Sequence, residues 1–382
     1  MTHVVLGRAA RGYVLGRAAR GYVLGRRFAA GMLLLLGALP SAAQDKPKKE
    51  KKPKDSTEAA KPFVPSPLFT AQTPVEFTLT GSYSKIKKER TGDANYYAGS
   101  VSYKGDDGAV VTVPVRLRAR GIWRRKNCDV PPVLMNFSKD STKKTLFAKL
   151  DRARLTFPCR FNADWEQYVL QEYELYRVQR ILTPLSFDVR LAHVTFVDQD
   201  KKDTLGTWWS FLSEQDDVFA ERVGAKLVTT QGANPADLER YESAFFGVFQ
   251  YFVGNSDYSI RALHNVVLIM KNNEYVPVAR DYDFGGAVNT RYAKPDPRLR
   301  ITSVTQRLMR GYCTEPEQYE KVFALFKAKK DSIYALYSDP LSSALKPNTT
   351  KYTLKYFDEF YDVINDPKKA KKEIVSACLG GG

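Results

Sequence analysis

The chain has 382 residues, of which 43% are apolar and 12% aromatic, and its formal net charge is +17. This apolar content is enough for one large domain or two small lobes, and it excludes disorder over most of the length. The charge is unevenly distributed: residues 1–43 carry six arginines and no acidic residue, and the lysine-rich stretch that follows has no aromatic residue. We therefore predict a targeting segment followed by a solvated linker, and no nucleic-acid partner.

Residues 1–43 have the pattern of a secretory signal peptide that follows a short basic repeat. Arg26 and Arg27 precede the apolar run Phe28–Leu39, and small residues come after it. We predict cleavage near Ala43 and export to the periplasm or the medium. The run is shorter than the roughly 20 apolar residues of a membrane helix, so we expect no transmembrane segment in the mature chain.

The next segment, residues 44–65, is rich in lysine and proline and is predicted to be a disordered linker. From Val75 onward, apolar and polar residues alternate in "VEFTLTGSYSKI", "YYAGSVSY" and "AVVTVPVRLRARG", and "VPPVLMNF" and "ARLTFPC" are shorter runs of the same kind. These runs predict an antiparallel region of about five strands, with a hairpin turn at "KGDDG". Cys128 and Cys159 flank this region, and we expect them to form a disulfide in an exported protein.

A helix is predicted from Asp164 to Leu182, because apolar residues recur there with helical spacing. Glu172 falls in the middle of its apolar side, so it requires a partner, either a phosphate-binding cation or a nearby arginine such as Arg177. Two strand-like runs follow, and the rest of the chain is mostly helical. We therefore predict an α+β protein with a two-lobed, protein-kinase-like fold. Its β-rich N-terminal lobe (66–215) would contain one helix, and its C-terminal lobe (216–382) would be mainly helical.

The candidate catalytic and metal-binding residues lie in the predicted C-terminal lobe. Asp257 lies in "GNSDYS", Asn265 in "ALHNVVLI", and Asp281 and Asp283 in "ARDYDFGG". Carboxylate and amide oxygens are the ligands that Mg²⁺ prefers, and phosphoryl transfer also needs an acidic group to orient the hydroxyl nucleophile. A strand–turn–strand layout would bring these side chains to one edge. Taken alone, "DYDFGG" is also typical of a surface turn, and His264 of a packed or capping residue.

These segments resemble the core of the CotH-type atypical protein kinases, the spore-coat kinase family. The resemblance rests on "YFVGNSDYSIRALHNVVLI" followed by "YVPVARDYDFGG". It extends to "VRLRARGIWRRK", "QYVLQEYELYRVQRIL" and "LGTWWSFLSE", and so covers about half of the chain. It implies transfer of the ATP γ-phosphoryl group to a hydroxyl of a protein or another acceptor, with Mg²⁺ or Mn²⁺.

The resemblance also implies roles for single residues. Asp257 would orient the acceptor hydroxyl, Glu172 would pair with the phosphate-binding cation, and the metal ligands would be Asn265, Asp281 and Asp283.

The sequence departs from the kinase pattern in two places. The strand "PPVLMNF" carries no basic residue, and no "GxGxxG" loop is present. Arg120, Lys149 and Arg154 are the candidate replacements for the missing phosphate-binding lysine. These departures favour a second hypothesis, a catalytically inactive, pseudokinase-like scaffold of the cell envelope. A third hypothesis is a glycosyltransferase that uses Asp281 and Asp283 as a DxD motif. It ranks last because such folds place alternating β and α units ahead of the motif.

Overall fold

The computed structural model of the protein describes residues 62–380. The predicted signal peptide (1–43) and nearly all of the predicted linker (44–65) lie outside these residues. No helix within the described part of the chain has the length and apolar character needed to cross a bilayer.

A seven-stranded β-barrel occupies the first half of the described chain. Its strands are β1 (Val75–Gly81), β2 (Tyr96–Lys104), β3 (Val110–Ala119), β4 (Val133–Phe137), β5 (Arg152–Thr156), β6 (Val189–Asp198) and β7 (Asp203–Ser213). They pair in the order β1, β2, β3, β4, β5, β7, β6, and β6 returns to β1 to close the barrel. The β1–β6 pair is parallel and the other pairs are antiparallel.

The barrel forms because its strands alternate apolar and polar residues. On β3, Val113, Val115 and Leu117 are buried, whereas Thr112, Pro114 and Arg116 between them are exposed. The inward side chains of the other strands complete an apolar core; Val101, Met135 and Leu155 are among them. Each such side chain stabilises the fold by about 1.5–3 kcal/mol through removal from water. The turn predicted at "KGDDG" is confirmed, since it joins β2 to β3 and Gly108 adopts a positive φ there.

The helices within residues 62–380 differ widely in length. They are α1 (Pro67–Thr70), α2 (Tyr83–Ile86), α3 (Trp123–Asn127), α4 (Ala163–Leu182), α5 (Asp216–Arg222), α6 (Arg240–Val253), α7 (Pro316–Ala335), α8 (Pro347–Asn365) and α9 (Pro367–Ala370). The predicted helix at 164–182 is confirmed as α4. It begins at Asn162, whose side chain accepts hydrogen bonds from the backbone N–H groups of Asp164 and Trp165.

A second sheet and the long helices form the other core of the protein. The sheet consists of β8 (Lys226–Val228), β9 (Val266–Lys271) and β10 (Glu274–Ala279), with β9 in the middle. Helix α6 is buried along most of its length and packs against β10, α7 and α8. It ends at Gly254, whose φ of 70° lies in the left-handed region that favours glycine at a helix C-terminus. Asp257 follows this helix end, and Asp281 and Asp283 follow the β9–β10 hairpin.

The predicted two-lobed, kinase-like fold is wrong. The two strand-like runs after α4 become β6 and β7, which close the barrel against β1 and β5. The segment 66–215 contains four helices rather than one, and the segment 216–382 contains a three-stranded sheet. Helix α4 packs on both β7 and α7, so the barrel and the helices belong to one compact unit. Local periodicity identified most of the elements but could not reveal how the strands pair.

Two disulfides link the described chain. The predicted bond between Cys128 and Cys159 is confirmed, and it ties the end of α3 to the segment after β5. A second disulfide joins Cys313 to Cys378, next to a backbone bridge between Tyr312 and Leu379. It attaches the C-terminal segment to the start of α7.

Candidate functional site

One cleft of about 630 Å³ brings together seven of the eight site residues predicted from the sequence. They are Arg120, Arg154, Glu172, Asp257, Asn265, Asp281 and Asp283. Two larger surface grooves, one on the outside of the barrel and one beside α8, contain none of them. Residues from the segment after β3, from β5 and α4, from the α6–β9 connection and from the segment after β10 thus meet at a single site.

Lys149 does not belong to this site, so its prediction as a phosphate-binding residue is not supported. It is exposed in a turn before β5, with a φ of 67°, and it is absent from the cleft lining. Its neighbour Leu150 is buried in the barrel core, whereas the turn leaves Lys149 exposed to solvent.

Asp257 lies just after α6, and its neighbours hold its carboxylate in place. The side-chain amide of Asn265 donates hydrogen bonds to the backbone oxygen and to Oδ2 of Asp257, at 2.8 and 3.1 Å. Nε2 of His264 lies 3.1 Å from Oδ1, and this contact is the main cause of the raised pKa of His264. The Asp257 side chain is 41% exposed, so a bound molecule can reach it.

Asp281 and Asp283 follow β10, at the base of the cleft. The backbone N–H of Asp281 donates to the hydroxyl of Tyr176 on α4, at 3.0 Å. Oδ2 of Asp283 accepts hydrogen bonds from Nε of Arg124, at 3.0 Å, and from the hydroxyl of Tyr292, at 2.8 Å. The second aspartate is thus held by two donors, whereas the first lies closer to the open part of the cleft.

Arg124 links the predicted acidic residues, and sequence reasoning missed it. Its Nη2 donates to Oε2 of Glu172 at 2.7 Å, while its Nε binds Asp283. Glu172 therefore has an arginine partner, as one of the two sequence interpretations required, but the partner is not Arg177, which binds Glu174 and Asp339. Arg124 lies in the segment "RGIWRRK" already singled out by the kinase resemblance. The kinase pattern places the phosphate-binding residue instead in the strand that follows, "PPVLMNF".

Several residues of the cleft have unusual backbone conformations. Leu263, Asn265 and Asp281 all have positive φ, at 50°, 51° and 62°. This region is uncommon for residues other than glycine, and for a branched residue such as leucine it is unfavourable. Strain of this kind tends to accumulate at binding and catalytic sites, where the surrounding structure holds it. The acids are therefore positioned by a backbone that departs from ordinary turns.

The two glycines of "DYDFGG" serve close packing rather than a special φ. A Cβ at Gly285 would lie 2.8 Å from Cγ1 of Val253, and one at Gly286 would lie 2.6 Å from the backbone oxygen of Val304 and against the hydroxyl of Tyr356. The segment after Asp283 therefore passes tightly between α6 and α8. This packing explains why two glycines follow the acidic pair.

The acids of the cleft influence one another's pKa values. Burial raises the pKa of Glu172 against the opposing effect of Arg124. Burial, together with the carboxylates of Asp281 and Glu172, also raises the pKa of Asp283 despite Arg124. Burial alone would raise the pKa of Asp281, but the guanidinium groups of Arg124 and Arg120 outweigh it and lower that pKa. Asp281 therefore carries the most persistent negative charge of the three.

Arginines also line the cleft, near the acids. Arg120 donates from Nη2 to the hydroxyl of Thr156 at 2.6 Å, while its buried Nε makes no hydrogen bond within residues 62–380. Burial and the neighbouring Arg154 lower the pKa of Arg120 to about 10. Arg154 and Arg280 share the carboxylate of Asp216, each at 2.8 Å. The cleft therefore combines arginines with a group of acids (Glu172, Asp281 and Asp283), which we call its acidic side, and the Arg120 guanidinium has an unpaired Nε within residues 62–380.

No protein-family model matches the chain, and no curated protein matches it significantly. The resemblance to CotH-type kinases therefore stays a prediction, and the chemistry of the cleft is inferred from its geometry.

The acidic side offers oxygen ligands for a divalent cation. The described residues contain no group of three or more His, Cys, Asp or Glu side chains arranged as a metal site. Mg²⁺ does not require such a cage, since it is commonly held by one or two carboxylates, waters and the phosphates of a substrate. Asp281 and Asn265 line the cleft as oxygen donors, and Asp283 is adjacent although Arg124 and Tyr292 engage one of its oxygens. The residues fit an ion that arrives together with a phosphate ligand.

Proposed function

We propose that the cleft binds ATP with Mg²⁺ or Mn²⁺ and transfers the γ-phosphoryl group to a protein hydroxyl. The observation that carries this proposal is the meeting of Asp257, Asn265 and Asp281 with the cationic residue Arg120 in one cleft. Its volume lies within the roughly 300–1,000 Å³ typical of small-molecule sites. Phosphoryl transfer depends on positioning and charge stabilisation, and both kinds of group are present.

Arg120 and Arg154 are suited to the nucleotide phosphates. A guanidinium presents several N–H donors in a fixed plane that matches phosphate oxygens. Arg120 lies at the end of β3 with an unsatisfied Nε, and Arg154 lies beside it on β5. A phosphate between them would supply an acceptor for that donor and relieve the repulsion between the two cations.

Asp257 is suited to the acceptor hydroxyl. Its carboxylate is accessible, and hydrogen bonds from Asn265 and contact with His264 restrict its orientation. A carboxylate held in this way can align a hydroxyl and accept its proton as the new bond to phosphorus forms. A divalent ion held by Asn265, Asp281 and Asp283 would neutralise charge on the phosphates.

Export of the protein is part of the same proposal. The two disulfides support an oxidising compartment, because such bonds are rare in the reducing cytosol. The signal-like pattern of residues 1–43 points in the same direction.

A second candidate function is a phosphate- or nucleotide-binding scaffold without catalysis. The observation that favours it is the bond between Arg124 and Asp283, which occupies a carboxylate that a metal would use. In that case the cleft would bind an anion through its arginines, without need of a divalent ion.

The test is a calorimetric titration of the chain from Gln44 onward with ATP, in Mg²⁺, in Mn²⁺ and in EDTA. Asp281→Asn should abolish metal-dependent binding, whereas Lys149→Ala, outside the cleft, should bind like the wild type. Asp257→Asn should retain binding and lose radiolabel transfer to protein. Metal-independent binding that Arg120→Gln removes would favour the scaffold. A folded protein that binds no ATP under any condition would overturn both functions, and UDP-glucose in the same titration tests the glycosyltransferase hypothesis.

A further inference from the structure

Strand β3 and the residue that follows it carry a row of arginines that leads into the cleft. Arg116, Arg118 and Arg120 occupy alternate positions, so they lie on the same outer face of the barrel. Successive members are about 6.6–6.8 Å apart along the strand, given the rise per residue of a β-strand. Arg116 is exposed, Arg118 is half-buried, and Arg120 lines the cleft that contains Asp257. We call these residues the β3 arginine row.

The charges of Arg116 and Arg118 are not neutralised by neighbouring acids, whereas Arg120 lies near Asp281 and Glu172 in the cleft. The ion pairs found within residues 62–380 include no member of the row, although Arg152 and Arg154 on nearby β5 pair with Asp217 and Asp216. Arg116 and Arg118 face outward from a closed barrel, so the protein fold itself does not require their charges. Two uncompensated cations, Arg116 and Arg118, continued by Arg120 at the same spacing, form a surface with a preference for an anion.

The guanidinium groups of the row are nevertheless held in place. Nε and Nη2 of Arg116 donate to Oδ1 of Asn136, at 3.1 and 2.6 Å. Arg116 and Arg118 both lie over the ring of Tyr96, at 5.2 and 5.5 Å from its centroid. These contacts reduce the side-chain entropy that a partner would otherwise have to remove on binding. The row is therefore a preorganised cationic surface.

We propose that the β3 arginine row docks an acidic, extended segment of the acceptor polypeptide, next to the hydroxyl that receives the phosphoryl group. This inference rests on the proposed function, since it names the acceptor of that reaction. Side chains at alternate positions of an extended peptide have the same spacing as the row, so Asp or Glu residues two apart can each meet one guanidinium. Ile122, which is 72% exposed in the cleft lining, offers an apolar contact between the row and the site.

The row suits a polypeptide better than a nucleic acid. Proteins that bind single-stranded nucleic acids combine positive charge with aromatic rings on which bases stack. Tyr96 is the aromatic residue that contacts the row, and its ring is covered by the guanidinium groups of Arg116 and Arg118. Carboxylates need only the charge and the fork of the guanidinium, and the row supplies both.

Fluorescence anisotropy with labelled peptides tests the docking surface in the absence of nucleotide. One peptide carries Glu at alternate positions before a serine, and its partner carries Lys at those positions. We expect the acidic peptide to bind and the basic one not to bind. Arg116→Glu/Arg118→Glu should weaken binding at least tenfold. Arg116→Gln/Arg118→Gln removes the charges without reversing them and should weaken binding to a smaller extent. Circular dichroism checks that both variants fold. Lys327→Glu/Lys329→Glu is the matched control, because it makes the same charge change on exposed positions of α7, and it should change affinity less than twofold.

The outcomes separate this inference from the proposed function. ATP binding should be the same in Arg116→Glu/Arg118→Glu as in the wild type, because neither residue lines the cleft. Acidic-peptide binding that the row variants do not weaken, or equally tight binding of single-stranded DNA, would overturn the docking proposal. Peptide binding by the row in a protein that binds no ATP would support docking and refute the phosphotransferase. ATP binding without binding of the acidic peptide would refute docking alone.

Discussion

Replacing Arg124 by methionine should destabilise the protein markedly, because Arg124 is the cation between two buried carboxyl groups. The side chains of Glu172, Asp283 and Arg124 are only 3%, 6% and 12% exposed. At the observed separations of 2.7 and 3.0 Å, each pair of opposite charges attracts by about 6 kcal/mol at an effective dielectric constant of about 20, before solvation losses. Removing one partner from a buried ion pair costs about 3–5 kcal/mol.

We expect a loss of about 3 kcal/mol for Arg124→Met, at the lower end of that range. Burial raises the pKa of both Glu172 and Asp283, so a carboxyl group left without its cation can take up a proton rather than remain charged. Uptake of a proton limits the penalty and makes it larger at higher pH.

The measurement is a double-mutant cycle by urea unfolding, with Arg124→Met, Glu172→Gln and the combination. Glu172→Gln removes one of the unpaired charges, so the combined variant should lose less stability than the sum of the single variants. We expect a coupling energy of about 1–3 kcal/mol. Arg118→Met is the control, since that arginine has no ion pair within residues 62–380, and it should change stability by less than about 1 kcal/mol.

The reasoning would be refuted by additive effects in the cycle. It would also be refuted by an Arg124→Met variant as stable as the Arg118→Met control. Either result would mean that water or another cation solvates Glu172 and Asp283 in the native protein, and that Arg124 does not hold the acidic side of the cleft together.

Three further predictions concern a buried glutamate, a disulfide and a tightly packed glycine. Burial and the carboxylate of Glu239 raise the pKa of Glu242 from 4.5 to about 7, so its stabilising contribution is complete below about pH 4.5 and is lost as the pH rises through 7. Glu242→Gln should therefore lose less stability than the wild type between about pH 5 and pH 8 in urea unfolding, and parallel pH profiles would contradict this. Cys313→Ser/Cys378→Ser, which opens a loop of 65 residues, should cost about 4 kcal/mol; an unchanged urea midpoint would exclude it. Gly286→Ala should cost about 1–3 kcal/mol by overpacking, and a thermal melt like that of wild type would show that the segment can shift.

Local pattern predicted the elements of this protein well. The alternation in "AVVTVPVRLRARG" corresponds to β3, and the helical spacing after Asp164 corresponds to α4. The order of Asp257, Asn265, Asp281 and Asp283 along a helix end and a hairpin was enough to predict that they meet. These inferences succeed because each depends on backbone preferences or on contacts between segments close in the chain.

The errors have a common physical cause. Closure of the barrel requires Val75 to pair with Ala192, far away along the chain, and no periodicity encodes that pairing. Lys149 was selected for its charge and its place before β5, but the turn directs it away from the cleft. Arg124 was overlooked because its partners come from α4 and from the segment after β10.

Local sequence pattern was thus sufficient to predict most strands and helices, the apolar face of each, and a set of acidic, amide and basic residues that meet in one cleft. The tertiary structure decided which strands close the barrel, which arginine joins Glu172 to Asp283, and which cations line the cleft. The difference arises from how far along the chain each interaction reaches. Apolar periodicity and turn chemistry act over a few residues, whereas strand pairing and buried ion pairs depend on segments that only the folded core brings together.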